Sequence, residues 1–338
     1  MREARAYLGV AVVNNKIYAI GGDTDAGPTL STNEEYDPAT DTWTFKAPMP
    51  TSRMSFGIAV YENKIYCIGG YGGVRANEAY DPATDTWESK APLPTASGPS
   101  TASTLYGKIY VIGSGSNATV QVYDPSADSW TTKAPMPAAP GSAYIWAWSC
   151  TSAVLDGKIH VIGVTPFSNS HQIYDSATNI WSFGVPPISG YFLAAAGVTT
   201  GSFAPKRIYV FGTDRVYWGL NLPEITGQSY DPVTDNWTNC APMLTGRINV
   251  ADATVNDELY VIGGETPFIG ENTIKSAKNE KYTPFEYGTI SSASPTPSIP
   301  EMPSSALILG LVAAFSIIIV AVRKKIACTN SKSCPCSD

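Results

Sequence analysis

The sequence predicts an all-β domain of six four-stranded antiparallel blades arranged radially as a β-propeller, followed by one C-terminal transmembrane helix. Three observations carry the prediction. A short apolar motif recurs six times, a Tyr-to-Trp motif follows each of the first five copies, and an apolar stretch near the C-terminus ends in a basic cluster.

The first motif reads Lys16-Ile-Tyr-Ala-Ile-Gly-Gly22 and returns as Lys64 to Gly70, Lys108 to Ser114, Lys158 to Val164, Arg207 to Thr213 and Glu258 to Gly264. Its first glycine falls at Gly21, Gly69, Gly113, Gly163, Gly212 and Gly263, a period of 44 to 51 residues. Self-similarity at such a period is the mark of a repeat architecture. The second glycine is kept at Gly22, Gly70 and Gly264, and replaced by Ser114, Val164 and Thr213. The second motif spans Tyr36 to Trp43, Tyr80 to Trp87, Tyr123 to Trp130, Tyr174 to Trp181 and Tyr230 to Trp237. The sixth copy keeps Tyr282 and has no matching tryptophan.

Each unit parses into four short strands. In the first, Gly9 to Val13 runs into the turn Asn14-Asn15, residues that tolerate the positive φ of a tight hairpin. Ile17 to Ile20 and Glu34 to Tyr36 follow. Asp37-Pro38 opens the next turn, and Trp43 to Lys46 ends the unit before Ala47-Pro-Met-Pro50 leads out. A lone blade cannot bury both faces, so six must close on one another, with the recurrent tyrosines and tryptophans filling the spaces between them.

Composition agrees. Charged residues are 15%, with 29 Gly and 26 Pro, which favours turns over charged helices. The net charge is −7, and the region after residue 288 is itself net basic, so the body is acidic. That excludes nucleic acid as a partner, since phosphate binding needs clustered Lys and Arg. Six cysteines, Cys67, Cys150, Cys240, Cys328, Cys334 and Cys336, form neither a disulfide framework nor a zinc pattern. Cys67 lies in an apolar strand and reads as a buried free thiol.

Gly-Gly, then Tyr, then Trp at this spacing resembles the Kelch repeat over nearly all of residues 1–288. The resemblance implies a six-bladed propeller and a recognition or adhesion module for a glycan or protein ligand. Met1-Arg-Glu-Ala-Arg5 aligns with Met49-Pro-Thr-Ser-Arg53, so the chain opens on the first strand of blade one while blade six lacks its closing strand. The expectation is that residues ahead of Met1 supply that strand and a signal peptide. The alternative is a three-stranded last blade with an open edge.

Residues 289–304 read as a Ser/Thr/Pro-rich linker, 305–322 as a transmembrane helix and 323–338 as a basic, Cys-containing cytoplasmic tail. Arg323-Lys324-Lys325 sets the orientation, with the propeller outside the cell. The order Ile299 to Pro303, apolar helix and basic cluster resembles the C-terminal sorting signals of archaeal surface proteins. Asn117 and Asn236 each open a glycosylation sequon.

Catalysis finds little material. His160 and His171 are the only histidines, and His160 takes the place of the motif tyrosine. Both would be needed for a copper site of the galactose-oxidase kind, which resembles this fold. No Ser-His-Asp arrangement, phosphate loop or zinc motif is present, and neither a metal nor a cofactor is expected. Asp23 and Asp25 read as loop residues within reach of a cation.

Binding has more support. Arg5, Arg53 and Arg247 each lie twelve residues ahead of the Ile or Leu that opens the second strand, and the equivalent residues of copies three to five are Ser97, Ala147 and Ala196. Two readings follow. The three arginines form a positive arc at one mouth of the channel, or each pins a loop between blades. Tyr144, Trp146, Trp148, Tyr191 and Phe192 lie towards the same entrance on the opposite blades, and Trp218 sits in the insertion Asp214 to Gly227. Aromatic faces suit sugar rings and arginines suit carboxylates. The rival reading is a carbohydrate enzyme resembling the Kelch-fold sialate mutarotases, with the arginine arc holding the substrate carboxylate.

Overall fold

The computed structural model describes residues 1–284 except 26–28, 97, 114–117, 138–150, 166–167, 189–191, 215–223 and 267–273. The expected linker, transmembrane helix and tail lie outside the described residues, and among those described no helix is long and apolar enough to cross a membrane.

Blades one to five are four-stranded antiparallel meanders, each pairing its strands in chain order. Blade one comprises Gly9–Val13, Lys16–Ile20, Asn33–Asp37 and Thr42–Lys46. Blade six comprises Ala251–Val255, Glu258–Ile262 and Asn279–Tyr282, without a fourth strand among the described residues. Asn14 and Asn15 hold φ of 52° and 59°, the left-handed values that a two-residue hairpin requires.

Apolar clusters join each blade to the next. Ala11, Val13, Tyr18 and Ile20 of blade one meet Ile65, Cys67 and Tyr80 of blade two. Leu8, Val10 and Ile17 of blade one meet Ala253, Val255 and Tyr260 of blade six, which closes the ring. Each fully buried Ile or Leu contributes about 1.5 to 3 kcal/mol relative to exposure. Cys67 is buried and free, as its strand pattern suggests, and burial pushes its thiol up to about 12.

The Tyr and Trp motif residues act together as an inter-blade clamp. Within a blade, the tyrosine hydroxyl donates to the residue five positions on: Tyr80 to Asp85 at 2.6 Å, Tyr174 to Asn179 at 2.7 Å. The same Asp85 Oδ1 accepts the backbone amide of Ala47 in the preceding blade at 2.8 Å, and Asp128 accepts that of Ala91 at 2.8 Å. Trp87 Nε1 donates to the Ala47 carbonyl at 2.8 Å, Trp130 to Ala91 at 2.8 Å, Trp181 to Ala134 at 3.0 Å and Trp237 to Val185 at 2.8 Å. Ala47, Ala91 and Ala134, which leave blades one to three, are thus held at both backbone groups by the next blade. Those groups would otherwise be orphaned where the fourth strand ends.

Asp85 holds φ of 55°, a conformation that an alanine adopts poorly. Asp85→Ala should therefore cost about 2 to 3 kcal/mol from two lost bonds and the backbone conformation. Asp85→Asn keeps Oδ1, as Asn179 does in blade four, and should cost less than about 1 kcal/mol. Urea unfolding midpoints of the two variants check the difference, and equal losses would refute the clamp.

Candidate functional site: the long-loop face and the channel mouth

Strand order puts every blade-to-blade connection and every link from second to third strand on one face. Among the described residues these include 21–25, 29–32, 47–56, 69–76, 91–96, 134–137, 184–188, 241–250, 263–266 and 274–278. The opposite face carries mostly tight turns such as 14–15, 62–63, 106–107 and 156–157.

The central channel opens beneath the long-loop face and encloses about 430 Å³. One equivalent position in each first strand lines it: Val10, Ile58, Ala102, Ser152, Ala196 and Asp252. Ser152 Oγ lies 2.6 Å from Thr101 Oγ1 and 2.8 Å from Ser103 Oγ, a small hydroxyl cluster between blades three and four. Among the described residues, Asp252 is the only carboxylic acid in the lining. It accepts the Ala196 amide, and burial raises it from the ordinary 3.8 to about 7. At the rim, backbone bonds run from blade to blade: Tyr7 N to Asn249 O at 3.1 Å, Ser55 N to Tyr7 O at 2.9 Å, Ser100 N to Ser55 O at 3.2 Å.

A polar network absent from the sequence-based expectation sits at this rim. Tyr7 Oη and Asn249 Nδ2 donate to Glu265 Oε1 at 3.1 Å and 2.7 Å. Lys275 Nζ pairs with Glu265 at 2.5 Å and Asp23 at 3.6 Å, and the Lys275 amide reaches Asp25 at 3.1 Å. Asp23 and Asp25 therefore face an ammonium and an amide of this chain. Among the described residues no cluster of His, Cys, Asp and Glu is arranged to hold a metal ion.

The three arginines do not form an exposed arc. Arg5, Arg53 and Arg247 are 0%, 1% and 0% exposed. Arg5 donates to the carbonyls of Ala19, Gly21 and Thr32 at 3.0, 2.9 and 3.0 Å and to Glu34 at 2.8 Å. Arg53 repeats this with Cys67, Gly69, Ala76 and Glu78, and Arg247 with Val261, Gly263 and Glu280. The physical reason is the double glycine. Gly21 and Gly22, at φ of 63° and 103°, turn the chain so that these carbonyls converge, and a guanidinium satisfies them together. The binding role expected of the arginines is thereby corrected to the alternative, a pin between strands and loop. Ala196 is not an equivalent of Arg5 at all: blade five links its first two strands through the longer segment 199–207, which shifts the count and places Ala196 inside the strand Phe192–Val198.

The acidic partners carried a sequence signal. Asn33-Glu34, Asn77-Glu78 and Asn279-Glu280 open the third strands of the three blades with Gly-Gly and Arg. The blades without them hold Gln121, Gln172 and Gln228 at the position of the glutamate. Tyr144, Trp146, Trp148, Tyr191, Trp218 and Asn117 lie outside the described residues; Phe192 opens the first strand of blade five. Asn236 is exposed and opens the fourth strand of that blade.

His160 and His171 are buried against each other, Nδ1 to Nε2 at 2.8 Å, between blades four and five. His171 Nδ1 sits 3.0 Å from the Val185 carbonyl, a duty that Asn33 performs for Ala47 in blade one. Burial lowers His160 to about 4, with His171 adding to the effect, and burial also lowers His171. The pair is committed to packing and a loop carbonyl.

Two predictions follow from this chemistry. Arg53→Ser strands the buried Glu78 and should destabilise by about 3 to 5 kcal/mol, while adding Glu78→Gln, which copies blade three, should recover most of the loss. Calorimetry of the single and double variants decides it. The titrations oppose each other. Asp252, raised in the fold, withdraws stability as pH rises from 3.8 through about 7. His160, lowered in the fold, withdraws stability as pH falls from 6.5 towards about 4. Asp252→Asn should leave a protein that weakens only towards acid. His160→Tyr with His171→Asn should leave one that weakens only towards neutrality, both read as urea midpoints at pH 5 and 7.

Comparisons with known proteins agree with this architecture. A model of the Kelch motif matches residues 4–50 and 52–94, the first two blades. Kelch-like protein 23 of Homo sapiens is 28% identical over 121 residues, 36% of this chain and 20% of that protein. Beta-scruin of Limulus polyphemus is 43% identical over 54 residues, 16% of this chain and 6% of its own length. The chain thus spans about a fifth or less of these relatives. Together with the six blades, the matched motifs and relatives support a Kelch-repeat family for this protein.

Proposed function

We propose that this protein is a membrane-anchored recognition module that takes a protein ligand on its long-loop face, with the propeller outside the cell and the C-terminus in the cytoplasm. The observation that carries it is the division of labour between the faces. Among the described residues, the connections longer than a tight turn emerge on one side, apart from 199–207, while the repeat residues beneath are consumed in holding the ring. Variable loops on a rigid scaffold are the usual seat of binding. Ile188 and Leu244, at 57% and 68% exposure, stand on that face. The Kelch motifs and the resemblance to Kelch-like proteins support a protein ligand.

A glycan is the second reading. Tyr144, Trp146, Trp148 and Trp218 fall by sequence in connections of this same face. The mutarotase-like reading loses its anchor, because the arginines meant for a substrate carboxylate are buried and pair with glutamates and carbonyls of this chain.

In the test, cells display the full chain with an epitope in the turn Asp156-Gly157 and another at the C-terminus, and protein and glycan libraries are screened. The first epitope should stain on intact cells and the second only after permeabilisation. Ile188→Ser with Leu244→Ser should lower ligand binding about tenfold or more, and Tyr106→Ser with Val233→Ser on the tight-turn face should not. Loss with the second pair alone would overturn the assignment of the face.

A further inference from the structure

The wall of the central channel is chemically lopsided. At the equivalent lining position, blades one to three present the apolar Val10, Ile58 and Ala102. Blades four to six present Ser152, Ala196 and Asp252. In a closed ring of six, blade three lies across the axis from blade six, so Ala102 stands opposite Asp252. The hydroxyls of Thr101, Ser103 and Ser152 gather between blades three and four. The lumen of about 430 Å³ falls within the range of small-molecule sites, about 300 to 1,000 Å³.

Asp252 has no counter-charge in this wall. Among the described residues no lysine, arginine or histidine lines the channel. Tyr7, also in the lining, gives its hydroxyl to Glu265. The strands packed against Ala251–Val255 are Gly9–Val13, Phe192–Val198 and Glu258–Ile262. The first two carry no titratable residue. The third carries Glu258, paired with Lys281 at 2.9 Å, and Tyr260, packed on Tyr36. Asp252 itself is partly exposed. Blade five makes room for it. A Cβ on Gly197 would stand 2.9 Å from both Asp252 Oδ2 and Thr254 Oγ1, and that threonine hydroxyl has no hydrogen-bond partner. A carboxyl and a spare hydroxyl thus converge on a bare glycine, without a cation of this chain among them.

We propose that the channel is a binding site for a small organic cation, a primary ammonium on a short apolar body, with Asp252 as its counter-ion. The ammonium brings donors only, which a carboxylate and wall hydroxyls accept. The apolar body packs on the side formed by Val10 and Ile58. An anion would meet a like charge. A hard inorganic cation needs about six or more converging oxygens, and the wall facing Asp252 is the methyl of Ala102. A neutral ligand would leave the carboxylate without its compensating charge. The site lies inside the ring, and its occupation is independent of the ligand proposed for the long-loop face.

The pairing carries a proton linkage. With Asp252 raised by burial to about 7, the free channel holds it mostly protonated at pH 6 and mostly ionised at pH 8. A bound ammonium favours the carboxylate, so the carboxyl proton leaves to solvent as the ligand enters. The ammonium keeps its own proton over this range, as a lysine does with its ordinary value of about 10.4. Binding should therefore release close to one proton at pH 6 and few at pH 8, and affinity should rise about tenfold between them.

Butylammonium, butanol and butyrate are titrated into the full chain by calorimetry, at pH 6 and pH 8, in buffers of low and high ionisation enthalpy. Expected are saturable one-site binding of butylammonium, the proton release just given, and affinities about tenfold or more weaker for butanol and butyrate at pH 8. This comparison needs no protein variant. Asp252→Asn should abolish both the preference for the ammonium and the proton release. Ala102→Ile, which copies Ile58 and should be received by Gly57 as Ile58 is by Gly9, should weaken butylammonium by narrowing the lumen. The proposal is overturned by absence of saturable binding, by equal affinity for butanol and butylammonium, or by an unchanged preference in Asp252→Asn. Displacement of butylammonium by an equal concentration of potassium ion would also overturn it, assigning the site to inorganic cations.

Discussion

The ring depends on the backbone of the residue that leaves a blade's fourth strand, Ala47, Ala91 and Ala134 in blades one to three. Its amide and carbonyl have no ladder partner, and unpaired buried backbone groups are costly. The neighbouring blade resolves this with Asp Oδ1 for the amide and Trp Nε1 for the carbonyl, while the blade's own Asn33, Asn77 or His171 reaches the same carbonyl. The tyrosine hydroxyl fixes the aspartate, and its ring fixes the tryptophan at 4.9 to 5.3 Å. Four residues of a repeat are therefore coupled through one backbone unit of another. That explains why Tyr, Asp and Trp travel together along the sequence, and why the aspartate yields only to asparagine.

A second coupling divides the ring in two. Gly-Gly turns carbonyls inward, arginine collects them, and glutamate neutralises the arginine. All three occur in blades six, one and two. A buried guanidinium with those carbonyls and without the carboxylate would be an unpaired charge, and the carboxylate alone would be worse. The set therefore comes or goes as a unit, and where it goes, glutamine remains. Gln121 exchanges two 2.9 Å bonds with the backbone of Thr95, holding the loop without any charge.

Much of this was legible in the chain. The six repeats, the four strands of blades one to five, and the turns at Asn14-Asn15 and their equivalents all follow from spacing, because each motif residue has a local geometric duty. The arginine arc was misplaced for a reason that spacing does not reveal. A charged residue recurring at a loop reads as exposed until its carbonyl partners are seen, and those come from residues 14 to 27 positions away. The Asn-Glu pairs at the third strands were the available clue. The rim network of Tyr7, Glu265 and Lys275 had none, since it joins residues more than 250 apart that share no motif. The raised Asp252 depends on the small residues of blade five that face it, notably Gly197, whose Cβ would stand 2.9 Å from its carboxylate.

The two halves of the ring suggest where variation is tolerated. In blades six, one and two the pins fix the loop backbone from below, and the rim bonds among Asn249, Tyr7, Ser55 and Ser100 fix it from the side. A loop held this way cannot lengthen or change direction without exposing an ion pair to the interior. Blades three to five lack the pins, and the interfaces there include a hydroxyl cluster, a histidine pair and Gln121, which bonds the backbone of Thr95. By sequence, the stretches 134–150 and 215–223, with Trp146, Trp148 and Trp218, fall within blades three to five. Loss of the arginine set thus looks less like decay of the repeat than the condition that lets a loop of new length and aromatic content be grafted onto a ring whose clamp is unchanged.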